Sequence, residues 1–466
     1  MSNFGSVNDL SCQIGFMERV RSLLSEIYQN PPKAHIVVYG CQQNVSDAEK
    51  IRGMLKTMGY EMTDDIEAAD FIIFNTCAVR EHAEQRVWGN VGATKNYKRK
   101  KENLIVAVCG CMAQEEKTVE RFKKSFPYVD IVFGTHVLHR LPEFVYRRLS
   151  GSGRIFETST EFADIVEGLP TERDRDIKAW LPIMYGCNNF CTYCVVPFVR
   201  GRERSRKPEF VLEEAKKLIA EGKKEITLLG QNVNSYGKGE EHGVNFAKLL
   251  RQINALEGDF RIRFMTSHPK DCTEELLLAM KDCEKVERHL HLPMQSGSDR
   301  VLNAMNRRYT KEKYLSLVAR AKELMPDIEL TSDIIVGFPG ETYEEFLETV
   351  DVVKQVKFAS LFTFIFSPRA NTVAAKMEDP VSREEKGKWF TQLLKVQEEI
   401  AAEQNENYLG KTYRVLCDDF GSKEGFLSGH TAGCAVIEFE GYKNLIGQFV
   451  NVRVDNVSKV LYGTII

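Results

Sequence analysis

Cys187, Cys191 and Cys194 stand in the run Tyr185-Gly186-Cys187-Asn188-Asn189-Phe190-Cys191-Thr192-Tyr193-Cys194, a C-x-x-x-C-x-x-C spacing. Thiolates select zinc, copper(I) or iron–sulfur clusters. A structural zinc wants four ligands, whereas three cysteines lie here and no fourth ligand follows nearby. A cubane cluster held by three thiolates leaves one iron without a protein ligand, and that iron can bind a substrate.

A second set of cysteines is spread along residues 33–150. Three apolar runs, 35–40, 71–76 and 104–110, are followed by Cys41, Cys77 and Cys111. The runs are rich in β-branched residues and separated by helical stretches at 46–58 and 81–97, which predicts buried parallel strands. In open α/β sheets, ligands gather beyond the carboxyl ends of the strands. Three cysteines at such ends predict a second tri-thiolate site. Cys109 competes with Cys111, since residues two apart on a strand share a face. Cys111 is the better candidate because it follows Gly110 just past the strand, as Cys41 follows Gly40. Cys109 reads as a core thiol.

Residues 173–405 form the next domain. Strand candidates at 180–184, 225–229, 262–266, 289–294, 329–336 and 361–366 alternate with helical stretches. That alternation predicts parallel βα units, and six of them a partial (β/α)6 barrel, open on one side. Chemistry in such barrels collects at the C-terminal strand ends, and the Cys187 run follows the first strand as this requires. Polar residues mark the other ends: Gln231 and Asn232, Ser267 and His268, Gln295 and Ser296, with Gly337 at the fifth. As a set they are expected to line the cofactor and substrate cavity. Arg200 and Arg202, in the basic stretch 200–207, are expected to meet the cofactor or a substrate phosphate. The other basic stretch, 95–101, reads as a solvated face.

Residues 406–466 change character. Short alternating runs at 412–417, 435–439, 449–454 and 460–465, with glycines between them, predict a small all-β barrel. Such barrels often grip single-stranded nucleic acid. The competing reading is a docking module, because the segment is not strongly basic. The fold class is thus α/β: an N-terminal open α/β domain, the partial barrel and the terminal β barrel. Residues 1–32 form an N-terminal extension with a modest helical pattern.

Global properties narrow the field. A length of 466 residues suggests about three domains. The net charge of −3 gives no general affinity for polyanions. Twelve cysteines in so long a chain do not make a disulfide framework. No stretch reads as a signal peptide or a membrane span, so the expected location is the cytoplasm, without a membrane partner.

The Cys187–Cys194 run resembles the signature of the radical S-adenosylmethionine (SAM) enzymes. With Cys41, Cys77, Cys111 and a terminal β domain added, the chain from about Lys33 onward resembles the methylthiotransferases. These join a tri-cysteine domain, a radical-SAM barrel and a C-terminal barrel called TRAM. The stretches 184–194, 199–203 and 291–298 are similar to the branch that adds a methylthio group to carbon 2 of N(6)-dimethylallyladenosine, next to the tRNA anticodon. Gln43 stands where that family more often has methionine; Cys41 is unaffected.

The resemblance implies two 4Fe-4S clusters, one on Cys187, Cys191 and Cys194 and one on Cys41, Cys77 and Cys111. It implies SAM both as methyl donor and as radical source, and an N-terminal cluster that supplies or carries sulfur. It also implies a tRNA anticodon stem-loop as substrate, a reductant such as flavodoxin or ferredoxin, a sulfur donor, and a monomer. No catalytic side-chain acid or base is called for, because the adenine C–H bond is strong and non-acidic and the cofactor must open it. The rivals are a methylthiotransferase for another modified tRNA adenosine or a ribosomal-protein aspartate, and a non-catalytic iron–sulfur RNA-binding protein.

Overall fold

The structure is a computed structural model that describes residues 10–79, 81–158, 165–433, 435–458 and 460–466, without the side chains of 81–83. The chain divides into two compact units. The first holds the residues up to Asp174 with Tyr185–Asn188 and Val195–Arg204; the second holds Arg175–Met184, Asn189–Cys194 and Ser205–Ile466.

In the first unit, six strands form one parallel sheet in the order β2-β1-β3-β4-β5-β6. They are β1 (Lys33–Val38), β2 (Glu61–Met62), β3 (Phe71–Thr76), β4 (Ile105–Gly110), β5 (Ile131–Phe133) and β6 (Ile155–Glu157). Every residue of β3 and β4 is buried, which is why these strands read as continuous apolar runs rather than alternating ones. Helices cover both faces. On one, α1 (Leu10–Ile27), α2 (Gln42–Thr57) and α5 (Leu141–Leu149) bring Met17, Ile51, Met54 and Phe144 against Phe71 and Ile73. On the other, α3 (Glu81–Lys100) and α4 (Glu116–Ser125) bring Val87, Val91 and Phe122 against Ile72, Phe74 and Val106. The helical pattern of the N-terminal extension is therefore α1, whose Met17, Val20 and Leu24 are part of the core. The basic stretch at the end of α3 is partly structural: Lys98 pairs with Asp130 at 2.8 Å and Lys101 with Asp70 at 3.3 Å.

In the second unit, β7 (Lys178–Pro182), β8 (Glu225–Leu229) and β9 (Arg261–Phe264) form a parallel sheet in the order β9-β8-β7. A second parallel sheet runs β10 (His289–His291), β11 (Glu329–Val336) and β12 (Ser360–Ile365). A parallel bridge between Ile262 and Val286 links the two, completing the six-stranded partial barrel. Its outer face packs Ile226, Leu228, Ile262, Leu290 and Ile334 against the surrounding helices.

The C-terminal strands close a small barrel in the order β13-β14-β15-β17-β16, where β13 is Thr412–Phe420, β14 Phe426–His430, β15 Val436–Glu440, β16 Phe449–Val457 and β17 Leu461–Ile465. The sequence predicts four of these strands. The fifth, β14, contains Ser428 and Gly429 and shows no apolar run; its pairing with β13 and β15 forms it.

Candidate functional site

Backbone geometry at three strand ends places the first cysteine set. Gly40 and Gly110, immediately before Cys41 and Cys111, have φ of 102° and 92°, a region open to glycine and costly for other residues. A Cβ on Gly40 would lie 2.4 Å from the Cβ of Cys77, and one on Gly110 would lie 2.4 Å from the carbonyl oxygen of Thr76. Asn44 ties the ends together. Its Nδ2 donates to the carbonyls of Tyr39 at 2.7 Å and Thr76 at 2.9 Å. Its Oδ1 then faces the sulfurs of Cys41 and Cys111 at 3.9 and 4.0 Å. The sulfur of Cys77 accepts from the amide of Val79 at 3.4 Å.

Cys41 is exposed while Cys77 and Cys111 are buried, so the set opens on one side. Burial pushes the Cys111 thiol up to about 12, opposed by the charge of Arg200 and reinforced by Cys77 and Cys41. A metal that binds there must displace that proton. Cys109 lies in the core with Phe133 and Phe144, whereas Cys111 belongs to the opposite core. The two do not share a face as an unbroken strand would require, because Gly110 turns the chain between them.

Arg200 is the unexpected member of this group. It is 6% exposed, and its Nε donates to the Cys111 sulfur at 3.3 Å. Its Nη1 pairs with Asp47 at 2.6 Å and its Nη2 donates to Asn44 Oδ1 at 2.5 Å. The sequence predicts it beside SAM or a phosphate, and the structure places it among the N-terminal cysteines. Arg202 is exposed.

Of the second cysteine set, Cys187 falls in the first unit, and Cys191 and Cys194 in the second. The amide of Cys187 donates to the Gly201 carbonyl at 3.1 Å. The 189–194 segment is held by residues 304–309, which the sequence did not single out. Thr192 donates from its amide to the Met305 carbonyl at 3.1 Å and from Oγ1 to that of Ala304 at 2.9 Å. Asn306 reaches the carbonyls of Asn189 and Phe190 at 3.2 and 2.9 Å. Buried Arg307 donates to the Cys191 sulfur at 3.4 Å and to the Pro293 carbonyl at 2.8 Å. The only sequence signal was Asn306-Arg307-Arg308 after a helix, which reads as an ordinary helix end.

Beyond the ends of β8 and β9, three buried polar atoms find no hydrogen-bond partner among the described residues: Asn232 Oδ1, Ser267 Oγ and His268 Nε2. Asn232 is held by its Nδ2, which donates to Asp271 at 2.8 Å. His268 accepts at Nδ1 from the Lys270 amide at 3.1 Å. Burial, with Arg307, Lys270 and Arg308 adding to it, holds the imidazole down to about 2. The ring is therefore neutral, and Nε2 carries its proton as a free donor. Gln231 is half-buried. Gln295 is buried with φ of 72° and pairs its backbone with Asp333 and Ile335 at 2.8 and 3.0 Å. Ser296 differs from the others. Its Oγ contacts Thr349 Oγ1 at 3.4 Å and accepts from the Ser298 amide at 3.2 Å, so it helps to fix the start of the helix that follows.

The residues fit the groups the resemblance implies. Among the described residues no three His, Cys, Asp or Glu side chains converge on a single ion. A cubane is embraced by thiolates spread over a larger volume, so the surroundings of each sulfur are the relevant test. N–H donors reach the sulfurs of Cys77, Cys111 and Cys191, the setting that stabilises cluster-bound thiolates. The three unpartnered atoms are polar groups of the kind that a zwitterionic nucleoside ligand would satisfy.

Comparison with known proteins adds the family. Residues 181–353 match the Radical SAM superfamily, residues 33–134 the Uncharacterized protein family UPF0004, and residues 406–466 the TRAM domain. A solved structure of the radical S-adenosylmethionine methyltransferase TsrM from Kitasatospora setae superposes with a TM-score of 0.54 at 15% identity, covering 85% of this chain and 80% of that one; it supports the fold alone. The barrel and the cysteine run define a radical SAM enzyme. The tRNA-2-methylthio-N(6)-dimethylallyladenosine synthase of Caldicellulosiruptor saccharolyticus is 50% identical over 462 residues, 98% of each chain. That of Acetivibrio thermocellus is 47% identical over 456 residues, 97% of this chain and 95% of the relative. The chain belongs to the tRNA-2-methylthio-N(6)-dimethylallyladenosine synthase family.

Proposed function

We propose that this enzyme adds a methylthio group to carbon 2 of N(6)-dimethylallyladenosine next to the anticodon of tRNA, with one 4Fe-4S cluster on Cys187, Cys191 and Cys194 and a second on Cys41, Cys77 and Cys111. The observation that carries the reading is the pair of tri-cysteine sets, the N-terminal one stitched at three strand ends by Asn44. When bound, SAM and a reduced cluster supply the alkyl radical that a strong C–H bond requires. The chain's own residues bind and orient. Asn232, Ser267 and His268 offer an acceptor, a hydroxyl and a donor to SAM, with Gln231 and Gln295 beside them at the strand ends. Arg307 and residues 304–309 hold the 189–194 segment in position.

Cys41, Cys77 and Cys111 would hold the cluster that supplies or carries the sulfur to be inserted. A low-potential reductant of the flavodoxin or ferredoxin type and a sulfur donor complete the reaction. The enzyme acts as a cytoplasmic monomer; among the described residues no helix is long and apolar enough to cross a membrane. Incubation of reduced, reconstituted enzyme with prenylated and unprenylated anticodon stem-loops tests the reading by mass spectrometry. The prenylated RNA should gain a methylthio group and the unprenylated one should not. Equal turnover of both would remove the prenyl requirement, and turnover of neither would overturn the assignment.

A further inference from the structure

The three contacts of Arg200 ask for an explanation that an ordinary ion pair does not give. An arginine that serves only to bind a carboxylate presents two parallel N–H groups to it. Arg200 divides its fork instead: Nη1 goes to Asp47, Nη2 to Asn44 Oδ1, and Nε is aimed at the Cys111 sulfur. The cation is 6% exposed and Asp47 is 5% exposed, so water screens neither. Asn44 cannot turn its oxygen away, because its Nδ2 is committed to two strand-end carbonyls. That oxygen faces the Cys41 and Cys111 sulfurs and would repel them as thiolates. The guanidinium neutralises this repulsion by taking the oxygen and the sulfur at once.

We infer that Arg200 is a positioning residue of the N-terminal cluster: it holds Cys111 as a ligand and raises the electron affinity of the cluster, with Asp47 as its counterweight. The inference rests on the cluster assignment proposed above. An N–H bond and a positive charge at a ligating sulfur stabilise the more negative, reduced state. Asp47 offsets part of that charge. The two residues therefore have opposite effects on one potential, which a merely structural ion pair would not produce.

The test uses the full chain carrying Cys187→Ala, Cys191→Ala and Cys194→Ala, so that only the N-terminal cluster loads. Its midpoint potential is measured by spectroscopically monitored redox titration, alone and with Arg200→Met or Asp47→Asn added. Arg200→Met should lower the potential enough to cut the reduced fraction at least tenfold at a fixed potential, about 59 mV for a one-electron couple. Asp47→Asn should shift it in the opposite direction. Unchanged potentials, or shifts of the same sign, overturn the inference. If Arg200→Met fails to retain iron, the sign of the Asp47→Asn shift decides alone. If the parent triple variant binds no iron at all, the cluster assignment fails and the inference with it.

Discussion

Two glycines do as much as the cysteines to place the first thiolate set. Gly40 and Gly110 turn the chain where a side chain would strike the neighbouring strand. Gly110→Ala would push a methyl group against the Thr76 carbonyl and hold alanine at a φ of 92°, a conformation costing about 1–3 kcal/mol. The expected outcome is a chain that folds but loses the N-terminal cluster, read as roughly half the iron of the wild-type protein. The thiolates themselves divide by task. Cys187→Ala should abolish reductive SAM cleavage, whereas Cys77→Ala should keep it and lose the methylthio product. Chromatography of 5′-deoxyadenosine alongside the RNA product separates the two; equal loss of SAM cleavage in both variants contradicts the division. Cys41, Cys77 and Cys111 could be picked out in the sequence because each follows a strand end, and Cys187, Cys191 and Cys194 because of their C-x-x-x-C-x-x-C spacing. The partner of Arg200 was not, since its closeness to Cys194 along the chain says nothing about the unit in which residues 195–204 fold.

At the scale of elements, the C-terminal barrel is more than an appendage of the second unit. Its 430–433 turn offers the carbonyls of His430, Thr431 and Gly433 to Arg261 and Arg263, at distances from 2.9 to 3.1 Å. These arginines also pair with Glu225 and Glu287. Lys178 pairs with Asp418, and Tyr408 with Glu329. Lys178, Glu225, Arg261 and Glu329 are the first residues of β7, β8, β9 and β11. The small barrel is thus fastened to the N-terminal ends of the partial barrel's strands, opposite the ends that carry Asn232 and Ser267. Burial already raises the Glu287 carboxyl to about 8, against the pull of Arg261 and Arg263. Arg263→Ala would remove a buried partner of Glu225 and Glu287 together with its bonds to the Thr431 and Gly433 carbonyls, and breaking a buried pair costs about 3–5 kcal/mol. Thermal unfolding should show a clearly lowered transition for this variant, and an unchanged transition would mean that the network does not bind the barrels together. The sequence left two readings of this barrel open, an RNA-gripping module and a docking module, and pointed to none of the residues that fasten it. Alternation fixes a strand's faces, but no local pattern tells which loop will cap a buried arginine.

At the scale of the whole molecule, the βα repeat was legible because it depends on local periodicity, and the strand-end positions of Cys41, Cys77 and Cys111 because apolar runs precede them. The second unit follows the expected order of six strands, and its helices pack where the alternation requires. What escaped were contacts between residues far apart in sequence: residues 304–309 around the 189–194 segment, and the fifth strand of the terminal barrel. The central claim is that one chain carries two clusters on two separate sets of cysteines. Iron and sulfide analysis of the reconstituted protein and of its two triple Cys→Ala variants tests it most directly. The wild-type chain should hold about eight irons and eight sulfides, as two cubanes require, and each triple variant about half of both. Full iron retention by either variant would contradict the account.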